Sequence, residues 1–320
     1  MKAMLSKART VSIAKKVVPA GFYVLLILFV VLYLRGIDFS KLQGAHFVWG
    51  YVGIAVFLEL VFRYWGAFIW FQILHGLGAR NLTDKARLIY VYAKAWLGRY
   101  IPGTAPWILG KIYFASRHGV SKHKLAVSSL LEGGLQIVAV MVVAFFLLMF
   151  DPRLDVLSTG YKLLMLGVIV AGVVAMIPAV FNRIVSIAYK LLRHQTLASE
   201  HLADSKTIIR GGLLYAVGAL INGVSLFFIA KAVYPDLSYH NMFFVMGVGN
   251  LSGAVSMLVI FAPSGLGVRE GIQLALLSLI MPKEFALLIT VVTRLWSIAT
   301  DFMFLGLSRL TIRPRKASGS

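Results

Sequence analysis

Tyr100-Ile101-Pro102-Gly103 and Phe261-Ala262-Pro263-Ser264-Gly265 are two versions of one interruption, each breaking an apolar stretch at a corresponding place in the two halves of the chain. Proline removes a backbone donor and stops the helix behind it, while glycine lets another backbone come close. A helix broken at membrane depth offers unpaired backbone groups there, and paired breaks in matching positions point to a transport site. Pro102, Gly103, Pro263 and Gly265 are therefore read as the tips of two re-entrant helical hairpins.

Outward from these tips the chain is almost all membrane. Hydrophobic residues make up 59% and charged residues 14%, and mean hydropathy is +0.84, outside the range of a soluble globular domain. Residues 17–34, 47–74, 125–150, 163–181, 213–233 and 285–308 are each close to the ~20 residues that cross hydrocarbon. They are read as six full spans. Segments 84–101 with 102–116, and 242–262 with 264–281, form the two broken pairs. The basic N-terminus ahead of residue 17 has the look of a secretory signal, but its apolar run is too long and lacks a small-residue cleavage pattern. It is expected to stay as an anchor.

Loop charges set the orientation. If each broken pair enters and leaves on one side, Lys2, Lys7, Arg9, Lys85, Arg87, Arg117, Lys122, Lys124, Arg183, Lys190, Arg210 and Arg309 collect on one face. Arg35, Lys41, Arg153, Lys162, Lys231 and Lys283 fall on the other. Lys and Arg concentrate in the cytoplasm, which places both termini there and the chain in the cytoplasmic (inner) membrane. The first hairpin then enters from the cytoplasm and the second from outside, so the halves have inverted topology.

The expected architecture is an all-α polytopic membrane protein, one membrane domain over 1–320. It contains a first repeat over 47–150, a cytoplasmic connection over 182–210 and a second repeat over 213–308. The connection carries His194 and His201, which are read as surface residues and not as a metal site, since no further ligand accompanies them. With no Cys in the chain, disulfides and thiol chemistry are excluded.

A net charge of +20 suggests nucleic acid in a soluble protein, but here the cations flank apolar spans, so nucleic acid is excluded as a partner. Charges left at membrane depth are costly and normally face a partner or a watery cavity. They are Arg63, Lys94, Arg99, Lys111, Arg269 and Arg294 against Glu59, Glu132, Glu270 and Asp301. Glu59 and Arg63 are one helical turn apart and are read as a locking pair, with Arg294 and Asp301 seven apart on another helix. Glu132 shares a polar stripe with Ser128, Ser129 and Gln136 that should face the interior. Lys111 is read as snorkelling to headgroups.

The excess of cations around the tips calls for an anion, and for a lipid that anion is phosphate. Lys94, Arg99, Arg269 and Arg294 are the expected substrate contacts. Glu132, Glu270 and Asp301 are expected to balance them or take up protons, and acyl tails are expected to stay in the bilayer. Gly249-Asn250-Leu251-Ser252-Gly253 reads first as a close helix contact. No P-loop, HExxH or GxSxG motif occurs, so no catalytic residue, metal or cofactor is expected and the chain is read as a transporter.

Arg99-Tyr100-Ile101-Pro102-Gly103, Gly119-Val120-Ser121, Glu132, then Ala262-Pro263-Ser264-Gly265-Leu266-Gly267-Val268-Arg269-Glu270-Gly271 and Arg294 resemble the lysylphosphatidylglycerol synthase transmembrane, or flippase-like, family. The resemblance covers nearly everything from Phe47 onward. It implies transbilayer movement of a phosphate-bearing membrane lipid, either a phospholipid or a polyprenyl-linked sugar. Many members follow the first Pro-Gly with a Gly-acid-x-x-Arg run; Pro106-Trp107-Ile108-Leu109-Gly110-Lys111 stands there in this chain, so that acid's role is not carried over. The sequence ends at Ser320 without a soluble aminoacyl-transferase domain, so a stand-alone member that does not synthesise lysyl-phosphatidylglycerol is expected. Besides the lipid, a lipid-synthesising or glycosyl-transferring enzyme is the candidate partner. The competing reading is an integral-membrane enzyme or accessory subunit of an envelope-lipid or glycan pathway, which covalent conversion of lipid by the purified chain would reveal.

Overall fold

The computed structural model describes residues 40, 47–79, 82, 84–101, 105–152, 159–193, 202–259 and 265–312. The expected span at 17–34, the tip residues Pro102, Gly103 and Pro263, and the His194 and His201 pair lie outside them. Every regular element among the described residues is helical: α1 Trp49–Gly76, α2 Lys85–Trp96, α3 Ala105–Ser116, α4 Lys122–Met149, α5 Thr159–Ala175, α6 Pro178–Arg193, α7 Ser205–Val233, α8 Met242–Leu258, α9 Val268–Leu277 and α10 Lys283–Leu310.

Four of these, α1, α4, α7 and α10, are 28 or 29 residues long. They are apolar enough to cross a membrane, as is α8 together with its 3-10 lead-in at Tyr239–Asn241. By contrast α2 and α3 have 12 residues each, roughly 18 Å of helix, well short of the ~30 Å of hydrocarbon. They fold back on each other. A Cβ on Gly98 would stand 2.9 Å from the Trp107 nitrogen, and one on Gly110 3.4 Å from the Ala95 Cα. Those two approaches run in opposite order along the chain, so the helices are antiparallel.

The expected span at 163–181 is interrupted. Helix α5 stops at Ala175, and after Met176 and Ile177 the chain turns by 84° into α6. Pro178 supplies the reason: it lacks the N–H that a continuing helix needs, and it suits the first position of a new one. The start of the 182–210 connection is accordingly helical, as a surface helix would be, with Phe181, Val185 and Tyr189 turned inward and Arg183 and Lys190 exposed.

Helix starts follow their caps. Asp84 accepts a hydrogen bond from the Arg87 N–H at 3.0 Å, and Asp204 accepts from the Thr207 N–H at 2.9 Å, each satisfying a donor that the first turn leaves free. The bonds from Thr207 hold the Asp204 carboxyl below its ordinary pKa.

In lipid, apolar surface gives little drive to helix association, so close packing and hydrogen bonds must supply it. Gly223 on α7 lies where a Cβ would be 2.8 Å from Met246, and Gly249 on α8 where one would be 2.5 Å from Leu226. Ser225 donates to the Ala55 carbonyl at 3.1 Å and the Trp65 indole to the Leu214 carbonyl at 2.8 Å, tying α1 to α7. Buried apolar clusters then form at both ends, one around Phe227, Phe244 and Ile289, another around Trp70, Leu88 and Phe304.

Candidate functional site

Residues one helical turn apart share a face, and three such pairs build the centre. Helix α1 presents Glu59 and Arg63, α10 presents Ser297 and Asp301, and the end of α2 presents Trp96 and Tyr100. Beyond Trp96 the helix tightens into a 3-10 turn, Leu97–Tyr100, that turns Arg99 toward α10. Asp301 is 1% exposed and fully engaged. Its Oδ1 accepts from the Arg63 Nε at 2.5 Å and the Trp96 indole at 3.2 Å, and its Oδ2 from the Tyr100 hydroxyl and Arg99 guanidinium at 2.6 Å each. Ser297 accepts from both arginines, at 3.1 and 3.0 Å. Arg63 also meets Glu59 at 3.1 Å.

A second buried pair lies nearby. Lys111 of α3 and Glu132 of α4 form an ion pair, and both are 0% exposed. The Tyr92 hydroxyl donates to Glu132 at 3.0 Å, while the Lys111 ammonium stands 4.0 Å from the Trp107 ring centre and 4.5 Å from that of Tyr92. Lys111 therefore does not snorkel to headgroups: a carboxylate and aromatic faces replace its water. Of the polar stripe, Ser128, Ser129 and Glu132 are buried and Gln136 is half-buried.

The third cluster sits at the start of α9. Gly267 has φ +87°, and its N–H donates to the Glu270 side chain at 2.6 Å. Arg294 meets the other Glu270 oxygen at 3.4 Å. Arg294 and Asp301, which the seven-residue spacing suggested as partners, are thus held by other groups: at that spacing they share a face, but different neighbours reach each end of it.

Between these clusters lies a cavity of about 580 Å³. Its charged lining is Glu59, Arg63, Arg99 and Arg269, its neutral polar lining Ser129, Gln136, Asn222, Asn250, Ser256 and Ser297, and much of its apolar lining comes from α4 and α6. Gly265, with φ +68°, belongs to the wall, and a Cβ there would stand 2.3 Å from that of Ser256. Only glycine suits both demands. In the small-residue motif Gly249 packs on α7, whereas Gly253 has nothing within 4 Å of its Cβ position and faces the cavity.

The structure brings Arg99 and Arg269 to the cavity and leaves Lys94 and Arg294 outside its lining. Lys94 is exposed, 4.5 Å from the Phe114 ring centre. Arg269 differs from the other membrane-depth arginines: among the described residues it makes no ion pair or hydrogen bond, though Glu59 and Glu270 act on it electrostatically. Trp96, Ser297 and Asn222 were not singled out from the sequence, and Tyr100 entered only as part of the first tip motif. Tyr92, Trp96 and Tyr100 at four-residue spacing carried a usable signal, an aromatic stripe beside Arg99.

An all-helical assembly with apolar spans, buried ion pairs and a cavity walled by arginine defines a polytopic membrane protein built around a polar interior site. The chain belongs to the family described as the lysylphosphatidylglycerol synthase TM region, whose pattern matches residues 16–303. That membership sets it among membrane proteins of lipid-related pathways. No curated protein matches it.

Proposed function

We propose that the chain moves a phosphate-bearing membrane lipid, a phospholipid or a polyprenyl-linked sugar, from one leaflet to the other through the central cavity. The observation that carries this is Arg269, a guanidinium in the cavity wall with no carboxylate paired to it among the described residues. Arg63, Arg99, Lys111 and Arg294 each have one. A planar fork of donors in a membrane interior matches the oxygens of a phosphate. Arg99, whose Nε is buried without a hydrogen-bond partner, stands in the same wall as a second contact.

In this reading the α2–α3 pair and the α8–α9 pair, the latter with one arm long enough to cross the bilayer, are the arms of two hairpins of opposite orientation. The cavity between them opens to one leaflet and then the other. Both termini lie in the cytoplasm and the chain sits in the cytoplasmic membrane, as the loop charges require. The protein transports its lipid without changing it covalently, and receives it from a lipid-synthesising or glycosyl-transferring enzyme.

The test is reconstitution of the purified chain in liposomes carrying lipids labelled on the headgroup. Protein should speed the exposure of inner-leaflet phosphate lipids to an external quencher, relative to a labelled lipid without phosphate. Equal rates with and without protein, or conversion of the lipid to a new product, would overturn the proposal.

A further inference from the structure

The cavity has two unlike halves. Beside the polar Ser129 and Gln136, α4 lines it with Leu130, Gly133, Ile137 and Val138, and α6 adds Ile184 and Ala188. No charged residue of α4 or α6 belongs to that wall. Gly133 has open space at its Cβ position, with nothing within 4 Å, so a trough runs along α4 where a side chain is missing.

This wall is continuous with the outside. Ile184 lines the cavity and is 48% exposed, and one and two turns further along α6 lie Ile187 and Leu191, both exposed and neither part of the cavity. These three, at i, i+3 and i+7, form one apolar stripe. Helix α6 is turned 84° from α5, and Arg183 and Lys190 are exposed beside the stripe. An apolar stripe flanked by cations is the pattern of a helix lying in a membrane interface.

We infer that the apolar half of the cavity is a binding site for the hydrocarbon chain of the lipid, entered from the bilayer over the Ile184–Ile187–Leu191 edge of α6. This rests on the proposed lipid function and deepens it: the lipid brings part of a chain inside, where the sequence alone left all tails in the bilayer. A cavity of about 580 Å³ falls within the ~300–1,000 Å³ typical of small-molecule sites. It has room for more than a phosphate. A chain passing from the bilayer over Ile184 to Gly133 stays against mainly apolar side chains, so entry carries little desolvation penalty.

The experiment uses two photo-crosslinking probes with a diazirine on the chain, an uncharged monoacylglycerol and a lysophosphatidate, added to the full chain in nanodiscs. Label should appear on Ile137, Val138 and Ile184 with both. Replacing Gly133 by Ala, Leu and Phe in turn fills the trough from a position that has room and where any of these is a better helix former than glycine; circular dichroism verifies folding. Labelling at those residues should fall with side-chain size, at least tenfold at Leu, for both probes. Arg269→Gln should reduce only the lysophosphatidate label. Unchanged monoacylglycerol labelling in Gly133→Leu, or label confined to Ile187 and Leu191, would overturn the chain site. Unchanged lysophosphatidate labelling in Arg269→Gln would instead count against the phosphate reading and leave the chain site standing.

Discussion

Arg63 on α1 and Asp301 on α10 are 238 residues apart in sequence and 2.5 Å apart in space. The contact is buried on both sides, with side-chain exposures of 4% and 0%. It joins the first repeat expected from the sequence to the second, and Arg99 joins the same carboxylate from the end of α2. One anion thus holds two cations beside the cavity.

Removing that anion should be costly. Asp301→Asn leaves Arg63 and Arg99 without their shared charge in a low-dielectric site, and breaking a buried pair typically costs ~3–5 kcal/mol. The contrasting case is Asp84, whose ion pair with Arg87 is exposed: Asp84→Asn retains an N-cap oxygen and should change stability by less than ~1 kcal/mol. Thermal melts in detergent compare the two. Equal melting temperatures would mean that Asp301 is not holding the helices.

Gly265 combines a left-handed backbone with a close approach to Ser256. Forcing a side chain into that conformation costs ~1–3 kcal/mol before any clash is counted. Gly265→Ala should therefore lower stability and Gly265→Leu should abolish transport. Gly306 of α10 has nothing within 4 Å of its Cβ position, and Gly306→Ala should stabilise by up to ~1 kcal/mol. Melting curves and liposome transport on the same preparations decide this; wild-type transport by Gly265→Leu would defeat it.

For Arg269, the expected result is a loss of function without a loss of fold. A charge-assisted hydrogen bond contributes ~1.5–3 kcal/mol, so Arg269→Gln should slow transport of phosphate lipids by ~10- to 100-fold. Arg269→Lys should recover part of the rate, because Lys keeps the charge but not the two-point geometry. Lys190→Gln, on the exposed face of α6, should behave as wild type. If all three variants gave one rate at equal protein density, the arginine would have no part in substrate binding.

Orientation can be read with single cysteines, since the natural chain has none. Ser121 and Ser238 are both exposed, at the starts of α4 and of the 3-10 turn before α8. Ser121→Cys should react with an impermeant maleimide only from the cytoplasmic side and Ser238→Cys only from outside. Labelling of both from one side would refute the inverted arrangement.

Fold class and most of the helices could be read from the order of residues alone. Spans at 47–74, 125–150, 213–233 and 285–308 were legible because a helix that crosses lipid must be apolar along its whole length. That requirement is local in the chain. It also flagged the membrane-depth charges, because their cost does not depend on where they end up.

What the sequence did not determine was which charge meets which. Arg294 and Asp301 were suggestive neighbours along one helix, yet their partners are Glu270 from α9 and Arg63 and Arg99 from α1 and α2. Lys111 followed the same logic: taken alone it reads as a side chain that reaches for headgroups, and only the packing of α3 against α4 gives it Glu132 and an aromatic surround. The 84° turn into α6 was missed too: the apolar run continues to Phe181 and reads as one span, although Pro178 marks where it breaks. Tertiary packing decided these points because electrostatic partners and helix directions depend on distances between segments, which periodicity within any one segment does not encode.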